Sequence, residues 1–193
     1  MDPPMPTQPG AVLTSSPFGP FDPFAPCDLP GRFARIIDAE PVEIDAELEQ
    51  VWKIMTGFDR YPEWNPMNRF FRLDAEARPG DTVTFGPVWG PYDLSEGAPL
   101  PEAGFTQNET LTVWEENCCL AYAVISRAFN AERVQHISRL ENGKTRYHTF
   151  ERTSGLLSPV VRKLYARRIL EGFDANGLAL KRRAESADRN RRV

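Results

Sequence analysis

The sequence predicts an α+β domain in which an antiparallel sheet folds around one long C-terminal helix and leaves a cavity between them. Three observations predict it. One strand and two short helical segments precede a run of strand-like segments over residues 68–153. The pair Asn142-Gly143 marks a tight hairpin inside that run. Ser158-Pro159 then opens, in cap and first-turn order, the one segment long enough to cover a sheet face. It reads as about 27 residues of helix, roughly 40 Å.

Each element has its own warrant. Phe33 to Ile44 alternates loosely and reads as the first strand. Asp45 caps a helix from Ala46 to Thr56 that buries Leu48, Val51, Trp52 and Met55, and Gly57 ends it. Asp59 to Trp64 is a second short turn of helix, stopped by Pro66. Strands at Asn68–Leu73 and Thr82–Phe85 flank the Pro79-Gly80 turn. Gly86 to Gly104, with four glycines, four prolines, Trp89 and Tyr92, is a long loop. Strands at Phe105–Glu116, Cys119–Arg127, Glu132–Leu140 and Thr145–Thr153 follow, and the last helix runs to about Glu185. On that helix Val161, Tyr165, Ile169, Phe173, Asn176 and Leu180 recur on one face.

The 193 residues, 41% of them hydrophobic, suit one packed domain with an appendage. We divide the chain into a Pro/Phe-rich extended segment (1–31), a ligand-binding domain (32–186) and a basic tail (187–193). Residues 1–31 hold nine of the eighteen prolines and no Lys or Arg, a composition that forms neither a helix interior nor a central strand. Within them Pro17-Phe18, Pro20-Phe21 and Pro23-Phe24 repeat every three residues. Polyproline II has three residues per turn, so these phenylalanines line one edge. A solvated linker has little use for that, and docking on the chain's own domain is expected ahead of a partner groove.

Several function classes are excluded or disfavoured. No apolar run spans a bilayer and the N-terminus lacks a secretory h-region, so a cytoplasmic protein is expected. Three cysteines, two adjacent (Cys118, Cys119), make no disulfide framework. Two histidines and no Cys-x-x-Cys pair predict no metal site. The net charge of −4 argues against nucleic acid. It also hides an asymmetry: residues 144–193 carry 13 Lys/Arg against 5 Asp/Glu. We read this as the solvated side of a helix in preference to a membrane contact. Oligomeric state is not legible.

The stretch Val51-Trp52, Tyr61-Pro62-Glu63-Trp64-Asn65-Pro66 and Pro79-Gly80-Asp81 resembles the START-like helix-grip (SRPBCC) superfamily. The ending Glu151-Arg152-Thr153-Ser154-Gly155-Leu156-Leu157, with Glu171-Gly172-Phe173 and Leu180-Lys181, is similar to its polyketide cyclase/dehydrase branch. The resemblance covers about residues 33–185. It implies a seven-stranded antiparallel sheet wrapped around the last helix, with a ligand tunnel between. It also implies either carriage of a hydrophobic molecule or cofactor-independent cyclisation, aromatisation or dehydration. The Pro/Phe-rich leader and the 86–104 loop depart from the shorter family pattern.

Taken as a two-residue turn, Asn142-Gly143 pairs His136 with Thr149, Ser138 with Tyr147 and Val134 with Glu151. The alternate face then holds Arg133, Arg139, Arg146 and Arg152, four arginines that mark it as solvated. By elimination Val134, His136, Ser138, Tyr147, Thr149 and Glu151 point at the helix. Two readings of that cluster stand. His136 and Glu151 can exchange protons while Tyr147 polarises a carbonyl, or the group is a satisfied interior network. The remaining expected ligand contacts are Phe85, Glu109, Leu111 and Val113 on the sheet, Trp89 and Tyr92 in the loop, and Tyr165, Ile169, Phe173 and Asn176 on the helix. For Glu109 a strand-end position near solvent is the expectation ahead of an inward one.

The sequence therefore predicts a protein that binds a hydrophobic, lipid- or polyketide-like small molecule without a cofactor. The alternative is a cofactor-independent cyclase, aromatase or dehydratase. A third possibility is an interaction module whose leader binds a partner.

Overall fold

The computed structural model describes residues 35–73, 76, 78–95, 98–100 and 102–192, the last four as backbone only. The Pro/Phe-rich repeat at residues 17–24 lies outside the described residues.

Among the described residues eight strands form one antiparallel sheet. They are β1 (Arg35–Asp38), β2 (Val42–Ile44), β3 (Asn68–Leu73), β4 (Thr82–Pro87), β5 (Gln107–Glu115), β6 (Cys119–Ile125), β7 (Asn130–Arg139) and β8 (Thr145–Ser154). The order is β1-β8-β7-β6-β5-β4-β3, and β2 also pairs with β8, so eight strands fill seven positions. The single first strand expected over 33–44 is thus split. Ala39 still donates to the Thr149 carbonyl, but Pro41 has no N–H to continue the ladder.

The helices are α1 (Leu48–Thr56), a 3₁₀ turn (Phe58–Arg60), α2 (Tyr61–Trp64) and α3 (Ser158–Arg192). Helix α1 starts two residues later than expected, and no side chain caps its N-terminus. Helix α3 runs past Glu185 to Arg192, so residues 187–192, assigned to a basic tail, continue it. Its first residue, Ser158, turns its hydroxyl to Thr153 Oγ1 at 2.9 Å. The main core lies between the sheet's inner face and the helices. Val51, Trp52, Met55, Tyr61, Trp64, Phe71, Leu111, Tyr122, Tyr147 and Leu180 pack there.

Two local features decide which side chains face that core. The turn between β7 and β8 has three residues, not two. Leu140 N–H donates to Lys144 O at 2.8 Å and Gly143 sits at φ +79°, as in a type I turn closed by a left-handed bulge residue. Ile137 therefore faces Tyr147, Gln135 faces Thr149 and Arg133 faces Glu151. The one-residue change moves every β7 side chain to the opposite face. The second feature is a bulge in β5. Leu111 pairs with Tyr122 and Val113 with Ala121, leaving Thr112 as the extra residue. Leu111 faces the core, while Val113 joins the outer face.

Gly155, between β8 and α3, has φ +96°, and a Cβ there would lie 2.5 Å from the Ala128 carbonyl oxygen. Gly155→Ala should cost about 2–4 kcal/mol in urea unfolding, through backbone strain and collision. A change of a few tenths would refute that geometry.

Candidate functional site

The inner face carries Leu111 from β5, Tyr122 from β6, Arg133 and Gln135 from β7, and Tyr147, Thr149 and Glu151 from β8. In its middle stands the buried guanidinium of Arg133. It donates to Asn176 Oδ1 on α3 at 2.8 Å, to the Tyr122 hydroxyl at 3.2 Å and to Thr149 Oγ1 at 3.3 Å. It also lies over the Phe173 ring, 4.7 Å from the centroid. All three acceptors are neutral. The Tyr147 hydroxyl donates to Gln135 Oε1 at 3.0 Å, closing the network on that side.

Beyond this network, towards the start of α3, the sheet and helix part to leave a pocket of about 370 Å³. Trp89, Phe105, Val124, Phe129, Val161 and Tyr165 supply most of its wall. Trp89 and Tyr165 pack at 5.5 Å across its mouth. Gln107, Glu109 and Glu151 are its polar members. Burial, and then the charge of Glu151, push the Glu109 carboxyl up to about 8, although a hydrogen bond from Gln107 and the Arg133 charge pull the other way. Burial pushes Glu151 up to about 7 against the same Arg133 charge. Near neutral pH Glu109 therefore stays largely protonated while Glu151 titrates, both in an apolar surround. A cavity with few polar groups and displaced proton affinities is the usual form of a small-molecule site.

A larger groove of about 470 Å³ runs between α1 and the C-terminal half of α3, lined by Lys53, Arg60, Trp64 and Arg183. It is open and basic and holds no buried carboxyl, so the chemistry converges on the Glu109–Glu151 pocket instead. No three His, Cys, Asp or Glu side chains cluster for a metal among the described residues. Among them too, no helix is long and apolar enough to cross a membrane.

Comparison with protein-family models and with curated proteins gives no match. Solved structures do match. The Zhui aromatase/cyclase from Streptomyces sp. R1128 superposes with a TM-score of 0.59 at 13% identity, over 80% of this chain and 96% of that one. A START superfamily protein from Mycobacterium smegmatis gives 0.53 at 20% identity, over 80% and 98%. Norcoclaurine synthase from Thalictrum flavum, in complex with dopamine and hydroxybenzaldehyde, gives 0.53 at 11% identity, over 83% and 88%. The fold is START-like.

Within this START-like frame the expected site residues divide into three groups. Glu109, Glu151, Trp89 and Tyr165 line the pocket. Tyr147, Thr149, Phe173 and Asn176 lie deeper, in or beside the Arg133 network. Phe85 and Leu111 are core, Phe85 against Phe71 and Tyr122. Ile169 packs on Ile37 and Ala39. Tyr92 pins the loop: its hydroxyl donates to the Val88 carbonyl at 2.6 Å, and its ring lies against Gly172 of α3.

Val113, Val134, His136 and Ser138 belong to the outer face. The grouping of His136 with Glu151 and Tyr147 is therefore corrected: the three-residue turn places His136 opposite His148, across the sheet from both. Burial and the His148 charge lower its affinity for a proton to about 4. The solvated face of four arginines is corrected too. Arg133 is in the core, and Arg152 is buried on the outer face against Glu132. Sequence reasoning missed Arg133, Gln107, Phe105 and Phe129. An exposed-face assignment hid the first, and no periodicity marks the others, which sit at strand ends and in a turn.

Proposed function

We propose that the chain binds a flat, largely apolar small molecule, aromatic or polyketide-like, in the pocket between the sheet and the start of α3. The observation that carries this reading is the Glu109–Glu151 pair within an aromatic wall. The protonated Glu109 carboxyl offers a donor, and Glu151 beside it an acceptor, to a ligand carbonyl or hydroxyl, in a volume that suits two or three fused rings. The aromatase/cyclase and the norcoclaurine synthase of the same fold, the latter holding two small aromatic molecules, support the ligand class.

The test uses 1-acetonaphthone, a neutral aromatic ketone, and reads tryptophan fluorescence. Binding should be strongest near pH 5.5 and about tenfold weaker at pH 9, where no carboxyl proton remains to donate. Ala131→Phe, which fills the pocket, should abolish it. Binding unchanged in that variant would place the ligand elsewhere.

A second reading has its own support. Two carboxyls of unlike proton affinity, one near 7, are the equipment of general acid–base catalysis at neutral pH. In a cofactor-independent cyclase or dehydratase Glu151 would take the substrate proton and Glu109 would return one. Glu151→Gln should then abolish turnover of a poly-β-ketone substrate while leaving its affinity within a few-fold. Parallel loss of both would favour binding alone.

A further inference from the structure

We propose that the first turns of α3 dock this protein on an anionic membrane surface, with the mouth of the pocket facing the lipid. The inner side of α3 carries Ile169, Phe173, Asn176 and Leu180, all buried. The opposite side of a helix packed on a sheet normally meets water with polar side chains. At about 100° per residue, Val160 and Leu164 lie roughly 180° and 140° round from Ile169. They are 56% and 62% exposed, and Leu156 and Leu157, just before the helix, are 73% and 50% exposed. The Leu157 N–H donates to the Ala128 carbonyl at 3.1 Å, which ties this ridge to the β6–β7 turn and so to Phe129 of the pocket wall. Trp89, Phe105 and Tyr165 of the same pocket are exposed as well. Large apolar side chains thus gather at the end of the molecule where the pocket opens. Apolar surface of this kind marks a contact with a partner or a bilayer.

Charge decides between the occupants. Residues 155–170 hold Arg162, Lys163, Arg167 and Arg168 and no Asp or Glu, and the β6–β7 turn adds Arg127. Arg167 pairs with Glu171 one turn on. The other four form no ion pair among the described residues. Lys163 and Arg168 flank the ridge and are exposed. A two-fold contact joins a patch to its own image, so a second copy seated here would set these cations against themselves. An anionic bilayer takes both parts at once. Leucine and tryptophan enter the headgroup boundary, and the long basic side chains reach the phosphates. Each such cation strengthens attachment about fivefold. Side chains at least half exposed project from the helix instead of lining a groove in which an acidic peptide could lie. The orientation rests on the pocket reading: a largely apolar ligand partitions into lipid, and a mouth facing the bilayer gives it a route. The contact itself does not depend on that reading.

Co-sedimentation of the full chain with lipid vesicles tests this. Vesicles of one part phosphatidylglycerol to two parts phosphatidylcholine should bind it at least tenfold more tightly than phosphatidylcholine alone, and added salt should weaken that binding. The double variants Leu156→Ser/Leu164→Ser and Lys163→Glu/Arg168→Glu should each weaken it about tenfold or more with Tm unchanged. Equal binding to both vesicles would overturn the proposal, as would loss in the charge variant alone, which needs no apolar insertion. No binding to either would overturn it and leave an acidic protein as the occupant that the charges favour. Dimers that form without vesicles and vanish in the leucine variant would overturn it in favour of a second copy. Should the leucine variant not fold, the native chain gives the answer. Bromine on the lipid chains should quench its tryptophan fluorescence, and Trp89→Phe should remove most of that quenching. Vesicle binding without quenching would overturn the docking face. No pocket ligand is present in these measurements, so their failure leaves the pocket reading intact, and failure to bind 1-acetonaphthone leaves the vesicle result intact.

Discussion

Arg133→Ala should destabilise the protein by about 3–5 kcal/mol, lowering Tm by roughly 10 °C or more. Two effects oppose each other. Removing a buried cation relieves its desolvation, and among the described residues no carboxylate lies within ion-pair distance to reward keeping it. Against that, alanine leaves a cavity over Phe173 and strips a donor from each of Asn176, Tyr122 and Thr149, all buried. An orphaned buried acceptor costs about 1–3 kcal/mol, so three of them and a cavity outweigh the relief. Arg133→Lys keeps the charge but loses the planar fork and the stacking, and should fall between. Arg133 also lowers the proton affinity of Glu109 and Glu151. The alanine variant should therefore move the pocket's titration to higher pH, measurable by carboxyl infrared bands or the pH dependence of ligand binding. A purely structural role would change Tm without moving that titration.

The same residue shows what the sequence could and could not disclose. Element order, the strands from residue 107 onwards and the last helix were legible because alternation, Gly/Pro punctuation and length carry them. The inner and outer faces of β7 were not. They depend on whether Glu141-Asn142-Gly143 closes as a two- or three-residue loop, a choice between turns that share the same Asn-Gly pair. Four arginines on one face then suggested solvent, because a lone arginine is rarely buried without a carboxylate. The β5 bulge at Thr112 had the same character, reversing Val113 while leaving the strand's composition unchanged. Glu109 survived because it lies on β5 before the bulge, and Glu151 because the turn shifts β7 against β8 without changing the alternation of β8 itself. In the proposed site the histidine therefore drops out and the carboxyl pair takes its place.

That replacement makes the second large effect one of pH. Glu109 and Glu151 hold protons in the folded chain to about pH 8 and 7, against an ordinary value of 4.5. Between pH 4.5 and 8 the folded state binds protons that the unfolded state has released. Stability from this pair is thus greatest at the acid end and is lost as pH rises through 7 to 8. The loss should amount to something on the order of 3 kcal/mol, discounted for the pocket's access to water. The double variant Glu109→Gln/Glu151→Gln removes the titration, so its Tm should match the parent's near pH 5 and exceed it at pH 8.5. His136 acts in the opposite sense. Its affinity is lowered to about 4 from 6.5, so its contribution is lost as pH falls from 6.5 to 4. His136→Gln should flatten the acid limb alone and leave the alkaline limb to the carboxyls. Were His136 and Glu151 a single pair, each variant would alter both limbs. Independent limbs are what a histidine on one face of the sheet and a carboxyl pair on the other require.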